Sequence, residues 1–319
     1  MATKRSTFLY LAPIRGITDH LYRDIFFNHF AGFNSAVAPF INPQRLSSFK
    51  KKQLFDVLPE NNEMPIVPQL LHTDPDDFLA LAARLQDLGY QHLNWNLGCP
   101  APMVTRKKRG SGLLPYPQEI ISFLEQVIPR LKAKLSIKTR LGLEGIEEIT
   151  TLLPLLNDFP LSEIIIHSRT GRQRYQGQAD PEAFNHCRKL SRHTLIYNGD
   201  IVDTDSFSQQ ANRFPEINRW MIGRGALADP FIGERIRGNT INEDDQGERL
   251  ATFHAELYNR YQIVLSGPGH LLSRMKQIWA YMGQSFPHQR KLTKKIIRSK
   301  NVDQYQRAVA EIFAGLKPF

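Results

Sequence analysis

The sequence predicts an α/β fold, a (β/α)8 barrel of the TIM type followed by a small C-terminal helical domain. Short apolar runs typical of buried strands recur through the first 225 residues, at 8–12, 34–39, 65–71, 92–97, 135–140, 163–168, 194–199 and 219–223. Each run precedes a longer segment in which apolar residues have helical spacing. Eight such alternations favour a closed parallel barrel. A doubly wound open sheet is the alternative, but a repeat number of eight argues against it.

Two of the intervening segments are clear helices by their sequence. Residues 74–90 begin with acidic residues, carry apolar residues at helical spacing and have a glycine near the end. Residues 117–131 show the same spacing. The polar segment 237–249 is predicted to be a linker or a helix cap, and three helical patterns follow it. We therefore predict a barrel domain over residues 1–240 and a basic helical domain over residues 245–319.

The net charge of +10 is concentrated at the C-terminal end of the chain. Residues 248–319 contain 12 Lys and Arg against 4 Asp and Glu, a net charge of +8, whereas the preceding residues have a net charge of +2. A near-neutral barrel with a strongly basic helical segment favours a polyanionic partner such as nucleic acid. The alternative is an ordinary solvated basic helix surface.

Cysteine content and hydropathy indicate the cellular compartment in which we expect the protein. The two cysteines, Cys99 and Cys187, lie far apart in the sequence, which argues against a disulfide framework and favours a reducing cytoplasm. No stretch approaches 18 consecutive apolar residues, so no membrane span is expected. The first 16 residues lack the apolar run of a secretory signal. Nothing in the sequence requires a dimer, and we expect a monomer.

Functional side chains of such a barrel are expected where strands end and the following loops begin. Glycines follow the last two predicted strands, at Gly199, Gly223 and Gly225, and allow backbone N–H groups to approach a phosphate. Arg224 would bind the same phosphate through its guanidinium fork. A simple turn is the alternative for either motif alone. The two motifs on adjacent strands together favour a phosphate site.

Four polar residues at other strand ends have both a functional and a structural interpretation. Lys138 in a barrel mouth is costly unless it meets an anion, such as the edge of a reduced flavin, or pairs with a carboxylate. His167 could face the same ligand or be a hydrogen-bonded core histidine. Gln69 and Asn96 could bond a flavin ring or a base edge, although either one alone is more often structural.

Cys99 follows the predicted strand 92–97 and precedes Pro100 and four basic residues, Arg106 to Arg109. A metal site is not expected, because no Cys or His lies at ligand spacing to it. The thiol could be a nucleophile, a proton donor or inert packing. Its position at a strand end favours exposure, and nearby cations would lower its pKa. If the thiol is a proton donor, it must keep its proton, and in that case we expect Arg106 to Arg109 to point toward RNA or solvent, away from the sulfur.

The strand-end motifs together resemble the tRNA-dihydrouridine synthase family, flavin enzymes that reduce a uracil in tRNA. The stretches that carry the resemblance are LAPIRGITD (11–19), PQLL (68–71), NWNLGCPAPMVTRKKRGSGLLPYP (94–117), IKTRLG (137–142), IHSRT (166–170), YNGDI (197–201) and MIGRGAL (221–227). They occur in the family's order over nearly the whole predicted barrel. The resemblance implies FMN as cofactor, NADPH as reductant and tRNA as substrate.

The resemblance also assigns residues to roles. It implies that reduced FMN passes hydride to C6 of uracil while Cys99 protonates C5. Asn96 would bond the flipped base, and Tyr175 would contact the nucleotide or its neighbours. The implied FMN contacts are Pro13, Ile14, Arg15, Gln69, Lys138, His167, Asn198, Gly199, Asp200, Gly223 and Arg224. Three positions depart from the family's usual residues: Ile14-Arg15 stands in place of Met-Glu, Asn94 in place of Asp, and Ser168 in place of Gly.

The basic tail resembles the family's tRNA-binding domain. Arg274, Lys276 and Tyr281 lie within about two helical turns, and residues 290–300 add six basic residues that include Arg298. This spacing resembles the subfamily that acts on uridine 16, although Trp279 is displaced from its pattern. Two other functions stay open: an FMN barrel acting on a small molecule, and a non-catalytic RNA-binding barrel.

Overall fold

A computed structural model describes residues 6–42 and 51–315. Within them, nine parallel strands form one sheet around a barrel. The strands are β1 (Phe8–Leu11), β2 (Ser35–Val37), β3 (Ile66–Val67), β4 (Gln69–Leu70), β5 (His92–Leu97), β6 (Lys134–Gly142), β7 (Ile164–Thr170), β8 (Leu195–Asn198) and β9 (Arg219–Ile222). Their order around the sheet is β3-β2-β1-β9-β8-β7-β6-β5-β4. This arrangement confirms the predicted (β/α)8 fold class.

The ninth strand arises because Pro68 divides the predicted strand 65–71. β3 pairs with β2 and β4 pairs with β5, so the two halves occupy the third position of an eight-stranded barrel. Proline has no N–H to give to the ladder, which explains the break. The Pro68 carbonyl still accepts from the Asn94 N–H at 2.9 Å, which keeps this seam joined to β5.

Helices follow the strands and continue into the C-terminal region. They are α1 (His20–His29), α2 (Lys51–Leu54), α3 (Pro75–Asp87), α4 (Pro102–Thr105), α5 (Pro117–Val127), α6 (Glu147–Leu156), α7 (Pro181–Leu190), α8 (Thr204–Arg213), α9 (Arg224–Ala228), α10 (Ile232–Ile236), α11 (Glu243–Val264), α12 (Pro268–Met282), α13 (Arg290–Arg298) and α14 (Val302–Ala314). None of the described helices is both long and apolar enough to cross a membrane.

Three helix boundaries differ from the predicted ones, and the first is that of α3, which ends at Asp87 and not at residue 90. α5 ends at Val127 and gives way to a 3-10 turn over Ile128–Arg130, because Pro129 cannot donate the next helical hydrogen bond. α11 already begins at Glu243, inside the segment predicted to be a linker. Cys187 is fully buried on α7, as expected for a packing residue.

The barrel interior is filled at one end and polar at the other. Apolar side chains from the strands form its packed layer: Tyr10, Ala12, Val37, Val67, Ile165, Ile196 and Met221. At the N-terminal end, Glu163 accepts from the Tyr10 hydroxyl at 3.0 Å and from the Arg219 guanidinium at 3.0 Å. This buried network closes that end, so the open end is the one at which the strands finish.

The C-terminal helices pack against the barrel through α1. Phe253 on α11 contacts the rings of Tyr22, Phe26 and Phe30 on or beside α1, with ring centroids 4.9 to 6.3 Å apart. The Tyr261 hydroxyl donates to Asp19 at 2.6 Å. The predicted boundary between residues 240 and 245 precedes α11 directly, yet the chain on both sides contributes to one apolar core.

Candidate active site

Strand register gathers the predicted polar residues at the open end of the barrel. Asn96 on β5 lies opposite Lys138 on β6, and His167 on β7 lies opposite Asn198 on β8. A cleft of about 520 Å³ opens beside them, with walls from Pro13, Ile14, Lys138, His167, Tyr175, Asn198, Gly199, Asp200, Gly223 and Arg224. A second cleft of about 540 Å³ shares Pro13, Lys138, His167 and Tyr175 with the first and extends to Gln69, Asn96 and Cys99. The two clefts therefore form one continuous site.

Lys138 has no carboxylate partner within the described residues. Its ammonium donates to the Asn198 side-chain oxygen at 3.1 Å, and Asn198 in turn donates to the Met221 carbonyl. Burial lowers the pKa of Lys138 to about 7, and the charge of Arg140 contributes to this lowering. The structural ion pair considered for this lysine is therefore not formed with a described residue, and an anionic ligand would stabilise its charge.

His167 is a buried, neutral imidazole that also lines both clefts. Burial holds its pKa well below the usual value, and the charges of Arg140, Lys138, Arg169 and Arg224 add to this effect. The Arg169 guanidinium lies 3.3 Å from Nε2. Since a guanidinium can only donate, Nε2 accepts and the ring proton is on Nδ1. His167 is thus a hydrogen-bonded core histidine and a cleft residue at the same time.

The phosphate candidate at the ends of β8 and β9 is organised by Asp200. Its carboxylate accepts from Arg224 at 3.0 Å, from Arg169 at 2.5 Å and from the Ala179 N–H at 2.8 Å. Arg224 therefore forms an ion pair with Asp200, whereas the sequence analysis predicted only that its guanidinium binds a phosphate. Asp200 has a φ of 35°, a left-handed conformation that is unusual for a non-glycine residue. A methyl group on Gly199 would approach the Ala179 Cβ to 2.9 Å, so the turn has room for glycine only.

A chain of buried amides connects the barrel interior to the Cys99 loop. The Asn94 amide donates to Ser136 at 2.8 Å, Gln69 donates to Asn94 at 2.8 Å, and Asn96 donates to Gln69 at 2.7 Å. The Asn96 side-chain oxygen then accepts from the backbone N–H groups of Gly98 and Cys99 at 3.0 and 2.9 Å. Asn96 thus shapes the turn that carries the cysteine, a role that the sequence prediction of a base contact did not include.

The Cys99 thiol keeps its proton because burial outweighs the surrounding charges. Burial raises its pKa, against the opposing effects of the Ala101 backbone and the cations Arg15, Arg140 and Lys138. Nearby cations do lower this pKa, as expected, but burial outweighs them and the net shift is upward. The cations that act on the sulfur come from the loop after β1 and from β6, not from the basic run that follows Cys99 in the sequence.

The four basic side chains after Cys99 differ in their exposure and partners. Arg106, Lys107 and Lys108 are exposed, as expected, and Lys108 pairs with Glu119 at 2.9 Å. Arg109 differs from the expectation, because its guanidinium donates to Asn42 at 2.9 Å and lies 2.7 Å from Nε2 of His72. The ligand atoms of His72, Asp74 and Asp77 lie close enough together to hold a metal ion. A guanidinium at Nε2 occupies the lone pair that a metal would need.

Two buried arginines that the sequence prediction passed over hold the Tyr175 loop. Arg140 donates to the carbonyls of Thr170 and Arg174 at 2.8 Å each, and to the Gly98 carbonyl at 3.0 Å. Arg169 donates to the Gln176 and Gly177 carbonyls. Both arginines stand at strand ends within the IKTRLG and IHSRT motifs, which is the signal that could have identified them.

Tyr175 itself lies over the junction of the two clefts. Its ring is 51% exposed, and the guanidinium carbons of Arg224 and Arg140 lie 4.9 and 5.6 Å from its centroid. Tyr281 on α12 is half-buried, and Tyr175 and Arg224 are close enough to act on its pKa, which burial raises. The C-terminal helices therefore reach the mouth of the site.

Two of the other side chains predicted to bind tRNA through the tail, Arg274 and Lys276, have partners within the chain. Arg274 donates to Asp19 at 2.5 Å and packs over the Tyr261 ring, with its guanidinium carbon 5.0 Å from the centroid. Lys276 donates to the Ser299 carbonyl at 2.8 Å, at the C-terminal end of α13. Both bonds attach α12 to neighbouring elements. Arg298 is exposed at the end of α13.

The sequence profile described as dihydrouridine synthase (Dus) matches residues 10–314 of this chain. The chain belongs to the dihydrouridine synthase family. It is 28% identical over 271 residues to a probable tRNA-dihydrouridine synthase of Staphylococcus epidermidis, an alignment that covers 80% of this chain and 78% of the relative. It is 26% identical over 297 residues to the tRNA-dihydrouridine(16) synthase of Vibrio parahaemolyticus, covering 90% of both chains.

Solved structures of flavin oxidoreductases share the barrel of this dihydrouridine synthase family member. The old yellow enzyme from Trypanosoma cruzi superposes with a TM-score of 0.52 at 11% identity, over 78% of this chain and 93% of that one. A morphinone reductase superposes with a TM-score of 0.51 at 12% identity, over 76% and 90%. These similarities establish the fold. Family membership makes the chain a flavin-dependent oxidoreductase.

The residues at the open end fit a flavin nucleotide by their chemistry. The Lys138 ammonium, which pairs with no described carboxylate, faces the cleft, and the neutral imidazole of His167 lies beside it. α9 begins directly after Gly223, so the first backbone N–H groups of that turn have no partner within the helix. The only described carboxylate in the wall of this cleft, Asp200, is already engaged by two arginines. The donor set is therefore suited to a ligand with a phosphate and an electron-rich ring edge.

Proposed function

We propose that this dihydrouridine synthase family member reduces the C5–C6 double bond of a D-loop uridine in tRNA, with FMN as cofactor and NADPH as reductant. The observation that carries the proposal is the position of the Cys99 thiol, whose pKa is raised by burial, in the same cleft as the Lys138 ammonium, which pairs with no described carboxylate. The site would thus supply an acid that protonates C5 of uracil and a cation that stabilises the anionic edge of a reduced flavin ring. Because tRNA and NADPH are cytoplasmic, we propose that the enzyme acts there, as a monomer.

The cofactor would be held by the first cleft. Lys138 and Asn198 would meet the edge of the flavin ring, with His167 beside them, and Gln69 would reach the ring from the adjoining second cleft. Gly199, Asp200, Gly223 and Arg224 would hold the phosphate end, with Asp200 fixing the arginine. Pro13 and Ile14 cover the wall beside Gly223, whereas Arg15 borders the second cleft and not the first. Bound FMN supplies the hydride that goes to C6 of the uracil.

The second cleft would hold the flipped base. Cys99 donates its proton to C5, and the resulting thiolate recovers a proton from water. Asn96 holds the turn that carries the thiol by accepting from the Cys99 N–H, and its remaining amide proton would donate to the base. Tyr175 covers the junction of the clefts and contacts the nucleotide. The exposed cations of α13, Arg298 among them, would hold the folded tRNA by its phosphates, and Tyr281 on α12 would contact it beside the cleft.

We further propose uridine 16 as the target, supported by the similarity to the uridine-16 enzyme of Vibrio parahaemolyticus over 90% of the chain. The test is to map dihydrouridine at each D-loop position in tRNA from cells lacking this protein, and to restore it with the purified protein. We expect loss at position 16 only. Loss at another position would overturn the choice of target, and unchanged dihydrouridine at every position would overturn the proposed function. A colourless protein that takes up no FMN would favour a non-catalytic RNA-binding barrel.

A further inference from the structure

A basic groove adjoins the Cys99 cleft at the rim of the barrel. We define it by the side chains that line it: Arg15, Phe40, Asn42, Leu71, Met103, Val104, Arg106, Lys107 and Arg109. Its volume is about 800 Å³, and it shares Arg15 and Phe40 with the Cys99 cleft. We propose that the basic groove binds the phosphate and the base of a nucleotide adjacent to the flipped uridine. This inference rests on the proposed function.

The charges of the groove are available to a ligand. Within the described residues, Arg15, Arg106 and Lys107 have no carboxylate partner, in contrast to their neighbour Lys108, which pairs with Glu119. All three side chains are exposed to solvent. Cations arranged in this way around one groove favour a polyanion.

The groove also offers surfaces on which a base can stack. The Arg15 guanidinium carbon lies 5.3 Å from the centroid of the Phe40 ring, and Arg15 contacts the Met103 sulfur at 3.5 Å. Met103 is 64% exposed, although it is a large apolar side chain. Cations interleaved with an aromatic ring and flexible apolar groups are typical of single-stranded RNA sites, where bases stack and phosphates pair with Arg or Lys.

Position favours RNA over the reductant as the source of the phosphate. A uridine that enters the Cys99 cleft brings its two flanking phosphates to the rim of that cleft. Arg15 and Phe40 form the wall between the cleft and the groove, so a nucleotide next to the flipped uridine meets the groove first. Phosphates of NADPH share the same chemistry, and the experiment below separates the two sources.

The test uses the full-length holoenzyme with two charge-matched double variants. Arg106→Gln/Lys107→Gln removes two groove cations, and Lys132→Gln/Lys134→Gln removes two exposed cations at the opposite end of the barrel. We expect the groove variant to raise the KM for tRNA about tenfold with kcat nearly unchanged. We also expect the salt slope of tRNA binding to fall by about 0.7 for each RNA phosphate that the variant no longer neutralises. The control variant should retain the wild-type KM.

A third variant separates stacking from charge. Met103→Ala should raise the KM for tRNA, also by up to about tenfold, while leaving the salt slope unchanged. Equal KM values for the groove and control variants would overturn the inference. So would a groove variant whose KM rises for NADPH, measured by flavin reduction without tRNA, while its tRNA affinity stays wild-type. If the wild-type protein forms no dihydrouridine in any tRNA, the proposed function fails instead.

Discussion

At the scale of single residues, the thiol of Cys99 shows how competing electrostatic effects are decided. Three cations, Arg15, Arg140 and Lys138, act on the sulfur and favour the thiolate. Burial disfavours the charged form and is the largest of the effects, so the net result is a raised pKa. A thiol that stays protonated at neutral pH is suited to donate a proton and poorly suited to act as a nucleophile.

We expect Cys99→Ala to retain flavin and tRNA binding and to lose most uridine reduction. The rate of the wild-type enzyme should be independent of thiol titration up to about pH 8.5, the usual thiol pKa, because the pKa is raised above that value. Single-turnover reduction of tRNA from about pH 6 to pH 9 measures this rate. Unchanged turnover by the alanine variant would refute the proton-donor role.

Lys138 is a side chain whose charged form is disfavoured by burial, which costs stability where the lysine is protonated. Its pKa in the folded protein is about 7, whereas a free lysine titrates at about 10.4, so the unfolded chain binds more protons between these pH values. Stability of the flavin-free protein should therefore rise with pH from about 7 to 10.

We expect Lys138→Met to stabilise the flavin-free protein by about 1 kcal/mol or more at about pH 6, where the wild-type ammonium is charged and buried, and by less at about pH 10. The same change should weaken FMN retention, because the ring edge loses its cation. Urea unfolding at both pH values and FMN titration provide the measurements. A stability gain that is equal at the two pH values would contradict the assigned pKa.

At the scale of elements, α12 carries two side chains that attach it to neighbouring elements and a tyrosine near the mouth of the cleft. Arg274 bonds to Asp19, which is also the N-cap of α1, and Lys276 bonds to the Ser299 carbonyl at the end of α13. Tyr281, about two turns after Arg274, reaches the mouth of the cleft. The sequence spacing placed these side chains on neighbouring helical positions but could not tell an internal ion pair from a free cation.

We expect Arg274→Ala to lower the free energy of unfolding by about 1.5–3 kcal/mol, since it breaks a charge-assisted hydrogen bond and leaves Asp19 short of a donor. Arg298→Ala should change stability by no more than about 0.5 kcal/mol and weaken tRNA binding. Urea unfolding and tRNA affinity are measured for both variants. If Arg274→Ala weakens tRNA binding without a loss of stability, Arg274 is a docking residue, as its sequence position first indicated.

At the scale of the whole molecule, the barrel and the tail behave as one packed body. Phe253 of α11 lies among Tyr22, Phe26 and Phe30. Ion pairs also join the two regions, among them Arg249–Glu234, His29–Glu256 and Arg274–Asp19. Removing α11 would expose several aromatic rings of α1 to water. The tail is therefore held at a fixed place beside the cleft mouth, where a tRNA bound to it would meet the site.

We expect a single cooperative thermal transition for the holoenzyme, detected alike by calorimetry and by far-UV circular dichroism, because both regions share one core. Phe253→Ala should shift the whole transition to lower temperature, consistent with a loss of about 3–5 kcal/mol for a buried phenylalanine. Two resolved transitions in the wild-type protein would show that the tail unfolds independently of the barrel.

Local patterns determined the fold class, the strand-end positions of Lys138, His167 and Cys99, and the basic character of the tail. These properties follow from periodicity, turn residues and composition, which a single sequence carries. The tertiary structure alone decided which cations are engaged by the chain itself. Burial set the pKa of Cys99 against the sign expected from neighbouring charges, and the partners of Arg109, Arg274 and Lys276 lie 23 to 255 positions away in the chain. Desolvation and ion pairing depend on which segments pack together, and sequence spacing does not report that.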